Sequence, residues 1–249
     1  MTDAPLAIRT RGLEVRYDDH LALCHLDLDL PCGSSLAVIG ANGSGKSTFL
    51  GVLAGTVDAS AGTAELAGGR PAFVLQSTEV DRSMPITVEE TVALGRYPTL
   101  GLFRRFGAAD RAIVATALER MDITDLAHRQ LHDLSGGQRQ RVLVAQGLAQ
   151  DADVLLLDEP VTGLDVVSRQ IILDVIDEEV ARDRAVIVTT HHLDEARRCD
   201  QVLILDSHAI AIGPPDEVLT EDNLRAAFGA AFSKVGDELV LDDPHHHDH

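Results

Sequence analysis

A chain of 249 residues, 45% of them hydrophobic, can bury a full core, and its length allows one large domain or two small ones. The formal charge of −19, with Lys46 and Lys234 as the two lysines, argues against a nucleic-acid surface, and no nucleic-acid partner is expected. Cys24, Cys32 and Cys199 are odd in number and lack C-x-x-C spacing, which disfavours a disulfide framework or zinc ribbon and fits a reducing cytoplasm.

In chain order, the opening MTDAPLAIRT has neither a basic nor an apolar leader region, and no later run reaches the roughly 18 apolar residues of a membrane span. If the protein acts at a membrane, something else crosses it. LEVRY and HLDLDL alternate polar and apolar positions, which predicts antiparallel strands beside a main sheet. SLAVIG (35–40), DVLLLDEP (153–160) and AVIVTTH (185–191) are short apolar runs that read as strands buried on both faces of a parallel sheet. Helical spacing from Val166 to Glu179 lies between two of them, so the core is α/β and doubly wound. Residues 87–150 lack a long strand and carry predicted helices near 87–95 and 108–121, the signature of a helical insertion.

The strongest local signal is GANGSGKST (40–48), which fits G-x-x-x-x-G-K-S/T after a strand and before a helix. Glycine lets the backbone wrap closely around phosphate, and successive amides and the helix N-terminus attract the anion. Gly40, Asn42, Gly43, Ser44, Gly45, Lys46, Ser47 and Thr48 are the expected nucleotide-binding residues, with Lys46 reaching the β/γ phosphates and Ser47 binding Mg²⁺. VLLLDEP then ends a buried strand in two acids. Asp158 would hold Mg²⁺, directly or through water, and Glu159 would face the attacking water.

With LSGGQRQR (134–141) the sequence resembles the ATP-binding cassette family, the motor subunits of ABC transporters, over positions 6–228. The resemblance implies a P-loop NTPase core with a mostly parallel sheet, an N-terminal antiparallel β lobe and an inserted helical subdomain at about 80–150. These would form one nucleotide-binding domain over 1–240, followed by an acidic His-rich tail, 241–249. It further implies a head-to-tail homodimer in the ATP-bound state, in which Ser135, Gly136, Gly137 and Gln138 contact ATP held by the partner. By the same resemblance Tyr17 stacks on adenine, Gln76 senses Mg²⁺ and the attacking water, Asp165 crosses the dimer interface, and His191 contacts the γ-phosphate. His192 stands where an Asp usually follows the switch histidine, which leaves His191 the better candidate. ATP and Mg²⁺ are the implied cofactors.

The stretch from Val80 to Arg111 looks like the helical region of zinc or manganese importers, a likeness carried by Pro85, Thr87, Val88, Gly95 and Arg96. That region would dock a cytoplasmic helix of an integral membrane permease, with an extracytoplasmic metal-binding protein in the same system and the motor at the cytoplasmic face. Zinc is placed ahead of manganese. Alternatives are an importer of an iron chelate or cobalamin-like cargo, an exporter motor, and a non-transport ATPase of the same family. His128 and His132 have i, i+4 spacing that would put them on one helical face, although two ligands do not make a zinc site.

The chain closes on LDDPHHHDH, which reads as a tag, a solvated acidic tail or a metal-binding segment. His245, His246, His247 and His249 are candidate zinc ligands on this reading, because clustered neutral imidazoles bind such ions.

Overall fold

The computed structural model describes residues 5–75, 85–100 and 104–229, together with the backbone of 232–235 and 238–241. Two long strands, β1 (Leu6–Tyr17) and β2 (His20–Pro31), pair antiparallel through the alternation seen in their sequences. Their inward residues Leu13, Val15, Leu23, Leu26 and Leu30 are buried while the intervening Arg9, Arg11, Asp27 and Asp29 face out. The lobe is completed by a strand the sequence did not disclose, β4 (Ala61–Leu66), which pairs with β1 from the far side. Its AGTAEL sequence has one large apolar side chain, Leu66, too few to advertise a strand by alternation.

The main sheet has the order β5-β6-β7-β3-β8-β9, built from β3 (Ser35–Ile39), β5 (Ala72–Val74), β6 (Val154–Asp158), β7 (Ala185–Thr189), β8 (Gln201–Asp206) and β9 (His208–Gly213). Every pairing is parallel except β8 with the edge strand β9. The unbroken apolar runs have the expected cause. On β3, Leu36 and Val38 pack into the core shared with the antiparallel lobe, and Ala37 and Ile39 into the core shared with the helices. Phe49, on α1 (Lys46–Leu53), is fully buried in the first of these cores and carries about 1.5–3 kcal/mol of burial energy there.

The helical region contains α2 (Val88–Leu94), α3 (Tyr97–Leu100), α4 (Ala108–Arg120) and α5 (Gly136–Leu148), the first and third close to their expected positions. A capping box starts α2: Thr87 Oγ1 accepts from the Glu90 N–H and the Glu90 carboxylate accepts from the Thr87 N–H. Gly95 ends it against α5, where an added Cβ would sit 2.2 Å from the Gln146 carbonyl oxygen. Arg96, expected on a docking surface, is buried. It donates to Asp110 Oδ1 (3.2 Å) and to the Ala149 carbonyl (2.8 Å), strapping α2 to α4 and α5. The pair His128 and His132 does not share a helix. The chain there makes two 3₁₀ turns, Thr124–Leu126 and Leu131–Asp133, with His128 beside Glu89 and His132 beside Asp133.

The C-terminal half adds α6 (Val166–Ala181), α7 (Leu193–Ala196), α8 (Pro215–Val218) and α9 (Glu221–Phe228), then the hairpin β10 (Phe232–Val235) and β11 (Glu238–Leu241). Among the described residues, no helix is long and apolar enough to cross a membrane.

Candidate nucleotide-binding and hydrolysis site

β3 ends at Ile39, and the following loop turns sharply enough that two of its glycines, Gly43 (φ 82°) and Gly45 (φ 99°), adopt left-handed backbone. Gly40 is required for a different reason. A Cβ there would lie 2.2 Å from the Leu205 carbonyl and 2.5 Å from Ser44 Oγ, so only a bare α-carbon lets the loop pass over β8. Lys46 opens α1, and its buried Nζ donates to the carbonyls of Gly40 (2.7 Å) and Ala41 (3.1 Å), holding the ammonium across the loop. Burial pushes this ammonium below its ordinary value, while the carboxylates of Glu159 and Asp158 act in the opposite sense.

The acid pair arrives from two strands away. Asp158 is the last residue of β6, and Glu159 follows with φ 46°, a left-handed conformation unusual for a side-chain-bearing residue. Thr189, at the end of the adjacent β7, fixes both. Its Oγ1 donates to Asp158 Oδ1 (2.6 Å) and accepts from the Glu159 N–H (2.9 Å). Thr162 Oγ1 also donates to the Glu159 carboxylate, at 3.4 Å. His191 Nδ1 stands 3.9 Å from Glu159 Oε2.

The next histidine points elsewhere. His192 groups with Asp194 and Glu195, and its N–H donates to Thr190 Oγ1 (3.0 Å). Thr190 Oγ1 donates in turn to the buried Glu195, which Arg169 of α6 meets at 3.0 Å. The two histidines therefore part company, His191 toward the acid that ends β6 and His192 toward the acids of α7.

A cleft of about 350 Å³ is lined by Tyr17, Asn42, Lys46, Ser47, Thr48 and Glu159, so β1, the phosphate loop and the acid pair converge on one space. Tyr17 is half exposed at its edge. The residues present fit a nucleoside triphosphate with a hard cation. The Gly40 turn admits a close backbone approach, Lys46 supplies a cation, and Ser47 and Asp158 are oxygen donors of the type magnesium takes. Gln76 lies outside the described residues, as do His245, His246, His247 and His249.

Ser135 caps α5 in a second capping box: its Oγ accepts from the Gln138 N–H (3.2 Å), and Gln138 Oε1 accepts from the Ser135 N–H (3.1 Å). The two glycines between them differ sharply. Gly136 has open space where a Cβ would go, whereas a Cβ on Gly137 would lie 2.6 Å from both Asp165 Oδ2 and Ser168 Oγ. Asp165 caps α6 by accepting from the Ser168 N–H (2.9 Å). This turn and Asp165 are thus packed together within one chain.

Sequence reasoning missed Thr189, Thr162, Thr190, Glu195 and Arg169. The signal available was VTTH, two hydroxyls ending a buried strand beside the strand that delivers the acids.

A phosphate loop between a parallel strand and a helix, with an acid pair on a nearby strand end, defines a P-loop nucleoside triphosphatase. The description that matches residues 23–162 is ABC transporter, and the chain belongs to that family as an ATPase. It is 34% identical over 229 residues to the manganese transport system ATP-binding protein MntB of Listeria monocytogenes, covering 89% of this chain and 95% of that one. It is 35% identical over 236 residues to YfeB of Yersinia pestis, named as a chelated iron transport system membrane protein, covering 90% of this chain and 79% of the other. A solved protein described as a metal-chelate type ABC transporter, in an inward-facing conformation, superposes with a TM-score of 0.84 at 28% identity, over 95% of this chain and 97% of that one.

Proposed function

We propose that this chain is the ATP-hydrolysing motor of an importer for a divalent metal ion. The observation that carries the reading is similarity along about nine-tenths of the chain to proteins named for manganese and chelated-iron transport. Because the relatives are named for manganese and chelated iron, our reading takes manganese first, ahead of the zinc expected from sequence, with an iron chelate as the second reading.

On this reading Tyr17 stacks against adenine at the mouth of the cleft, and the backbone of Gly40–Thr48 follows the phosphates with Lys46 on the β/γ groups. Magnesium, when bound, supplies charge neutralisation at the β/γ oxygens, and Ser47 and Asp158 are the residues that would hold it. Glu159 accepts the proton of the attacking water, His191 contacts the γ-phosphate, and Gln76 keeps the role its motif implies, sensing magnesium and the attacking water. Ser135, Gly136, Gly137 and Gln138 serve the partner subunit's ATP in a head-to-tail homodimer. The 84% exposure of Val166 and 65% of Val167, next to Asp165, supports a covered surface there.

Leu94 and Tyr97 are also exposed large side chains, at 45% and 60%, on the region expected to meet the permease. Unlike buried Arg96, both are available for docking. An extracytoplasmic metal-binding protein completes the system. The test is metal accumulation by cells lacking this subunit: manganese uptake falls and returns with the wild-type gene but not with Lys46→Met. Unchanged uptake of manganese, zinc and iron would remove the importer reading.

A further inference from the structure

Between Leu13 and Val15, β2 carries one residue more than β1 can match. Leu13 pairs with Leu26 and Val15 with Leu23, so Glu14 alone stands opposite Cys24 and His25. The extra residue makes a β-bulge, and His25 adopts φ 47°, left-handed backbone that a side-chain-bearing residue rarely takes. Bulges re-aim side chains, and this one gathers three different metal-ligand types. Cys24 Sγ is 3.4 Å from His25 Nδ1, His25 Nδ1 is 2.6 Å from Glu14 Oε1, and all three donor atoms lie within 4.8 Å of one another. The His25 side chain is 76% exposed, so an ion reaches the group from solvent.

We infer that Glu14, Cys24 and His25 form a binding site for one thiophilic divalent cation of the zinc type, with a water completing the shell. Tetrahedral zinc, bound to sulfur at about 2.3 Å and to nitrogen or oxygen at about 2.0 Å, spaces its donors by roughly 3.3–3.6 Å. The sulfur-to-nitrogen distance already matches. The nitrogen-to-oxygen distance is that of a hydrogen bond and opens by less than about 1 Å when the ion replaces the shared proton. A sulfur ligand selects zinc-like ions over manganese, which prefers an all-oxygen shell. Among the described residues, one other trio, His192, Asp194 and Glu195, is as close, but both of its acids are already ion-paired with Arg169.

The site is tied to the nucleotide loop. The Cys24 N–H donates to the Ser207 carbonyl (2.6 Å), and the Ser207 N–H donates to the carbonyl of Ser44 (2.8 Å). A bound ion would therefore sit two hydrogen bonds from the phosphate loop. The inference stands on these residues alone and does not depend on the transported ion.

The test uses the full chain under reducing conditions, titrated with Co²⁺ and read by thiolate-to-cobalt charge-transfer absorption, then competed with Zn²⁺ and with Mn²⁺. One equivalent of cobalt should give the sulfur band in the full chain, in a 1–244 truncation that removes the histidine tail, and in Cys32→Ser. Cys24→Ser should abolish it. Zinc affinity should fall roughly a hundredfold in His25→Asn and Glu14→Gln, at or beyond the limit for losing an outer-shell partner. Asparagine keeps the left-handed backbone while removing the imidazole, and unchanged circular dichroism and ATP binding would show that the fold is intact. Zinc should displace cobalt and manganese should not. A sulfur band that survives Cys24→Ser, or that disappears with the tail alone, overturns the assignment.

Discussion

Thr189→Val removes one hydroxyl from a fully buried position at almost constant volume, and the structure states what that hydroxyl does. It donates to the Asp158 carboxylate and accepts from the Glu159 N–H. A hydrogen bond to a charged group is worth about 1.5–3 kcal/mol and one between neutral groups about 0.5–1.5 kcal/mol, so the variant should lose roughly 2–4 kcal/mol of stability. At about 2–4 °C per kcal/mol for a chain of this size, the melting midpoint should fall by roughly 4–16 °C. The functional loss should be larger than the stability loss suggests. Glu159 holds its left-handed backbone against that hydroxyl, and a displacement near 1 Å of a reacting group costs about a hundredfold in rate. The assay is phosphate release at saturating ATP and a temperature where the variant is folded, with ATP affinity measured separately. Hydrolysis should drop by about 10–100-fold with affinity within about threefold of wild type, and Thr189→Ser should restore most of the rate. Wild-type turnover in Thr189→Val, or a serine variant as slow as the valine, would refute the positioning argument.

Glu159→Gln should retain ATP binding while hydrolysis falls by about 10²–10⁴-fold, measured as single-turnover phosphate release; near-normal turnover removes Glu159 from the base role. The two glycines of the second turn should separate stability from function. Gly136→Ala, which adds a methyl into open space, should leave the melting curve within about 0.5 kcal/mol yet slow hydrolysis in the assembled dimer. Gly137→Ala, which meets Asp165 and Ser168, should lower both. The Gly107 N–H, with Arg96 and Arg104, holds the Asp110 carboxyl below its usual range. A depressed carboxylate stabilises the fold above its unfolded value, about pH 4, and that contribution is lost as pH falls through the lower folded value. Asp110→Asn should therefore flatten the stability-versus-pH curve below about pH 4, followed by urea denaturation; an unaltered acid limb would show that Asp110 is not linked to folding.

What could be read from the sequence follows from how each feature is encoded. The phosphate loop was legible because its constraints are steric and fall within eight residues, as the clash awaiting any side chain at Gly40 shows. Strands β3, β6 and β7 were legible because a strand buried on both faces must be apolar throughout. β4 escaped because its partner β1 is earlier in the chain and, Leu66 apart, its own side chains are small or polar. The i, i+4 histidines misled because spacing implies a shared face only where a helix exists, and the chain there makes 3₁₀ turns instead.

The harder misses have one physical origin. Thr189, Glu195 and Arg169 act through partners 31, 5 and 26 residues away, and no local pattern distinguishes a threonine that orients two acids from one that merely ends a strand. Their placement also bears on mechanism. Asp158 and Glu159 are fixed by a hydroxyl from β7, the same strand leads directly to His191, and Thr190 between them is held by Glu195 and thus by Arg169 of α6. α6 begins at Asp165, against which Gly137 is packed. Contiguous contacts within one subunit thus run from the exposed turn of α5 to Glu159: Gly137 to α6, Arg169 to Glu195, and Thr190 to its neighbour Thr189. Arg169→Ala separates this path from simple docking, because Arg169 belongs to neither exposed face. It should leave ATP affinity intact while weakening the dependence of hydrolysis on dimer formation, read as the slope of specific activity against protein concentration, and an unchanged slope would show that the connection is only structural.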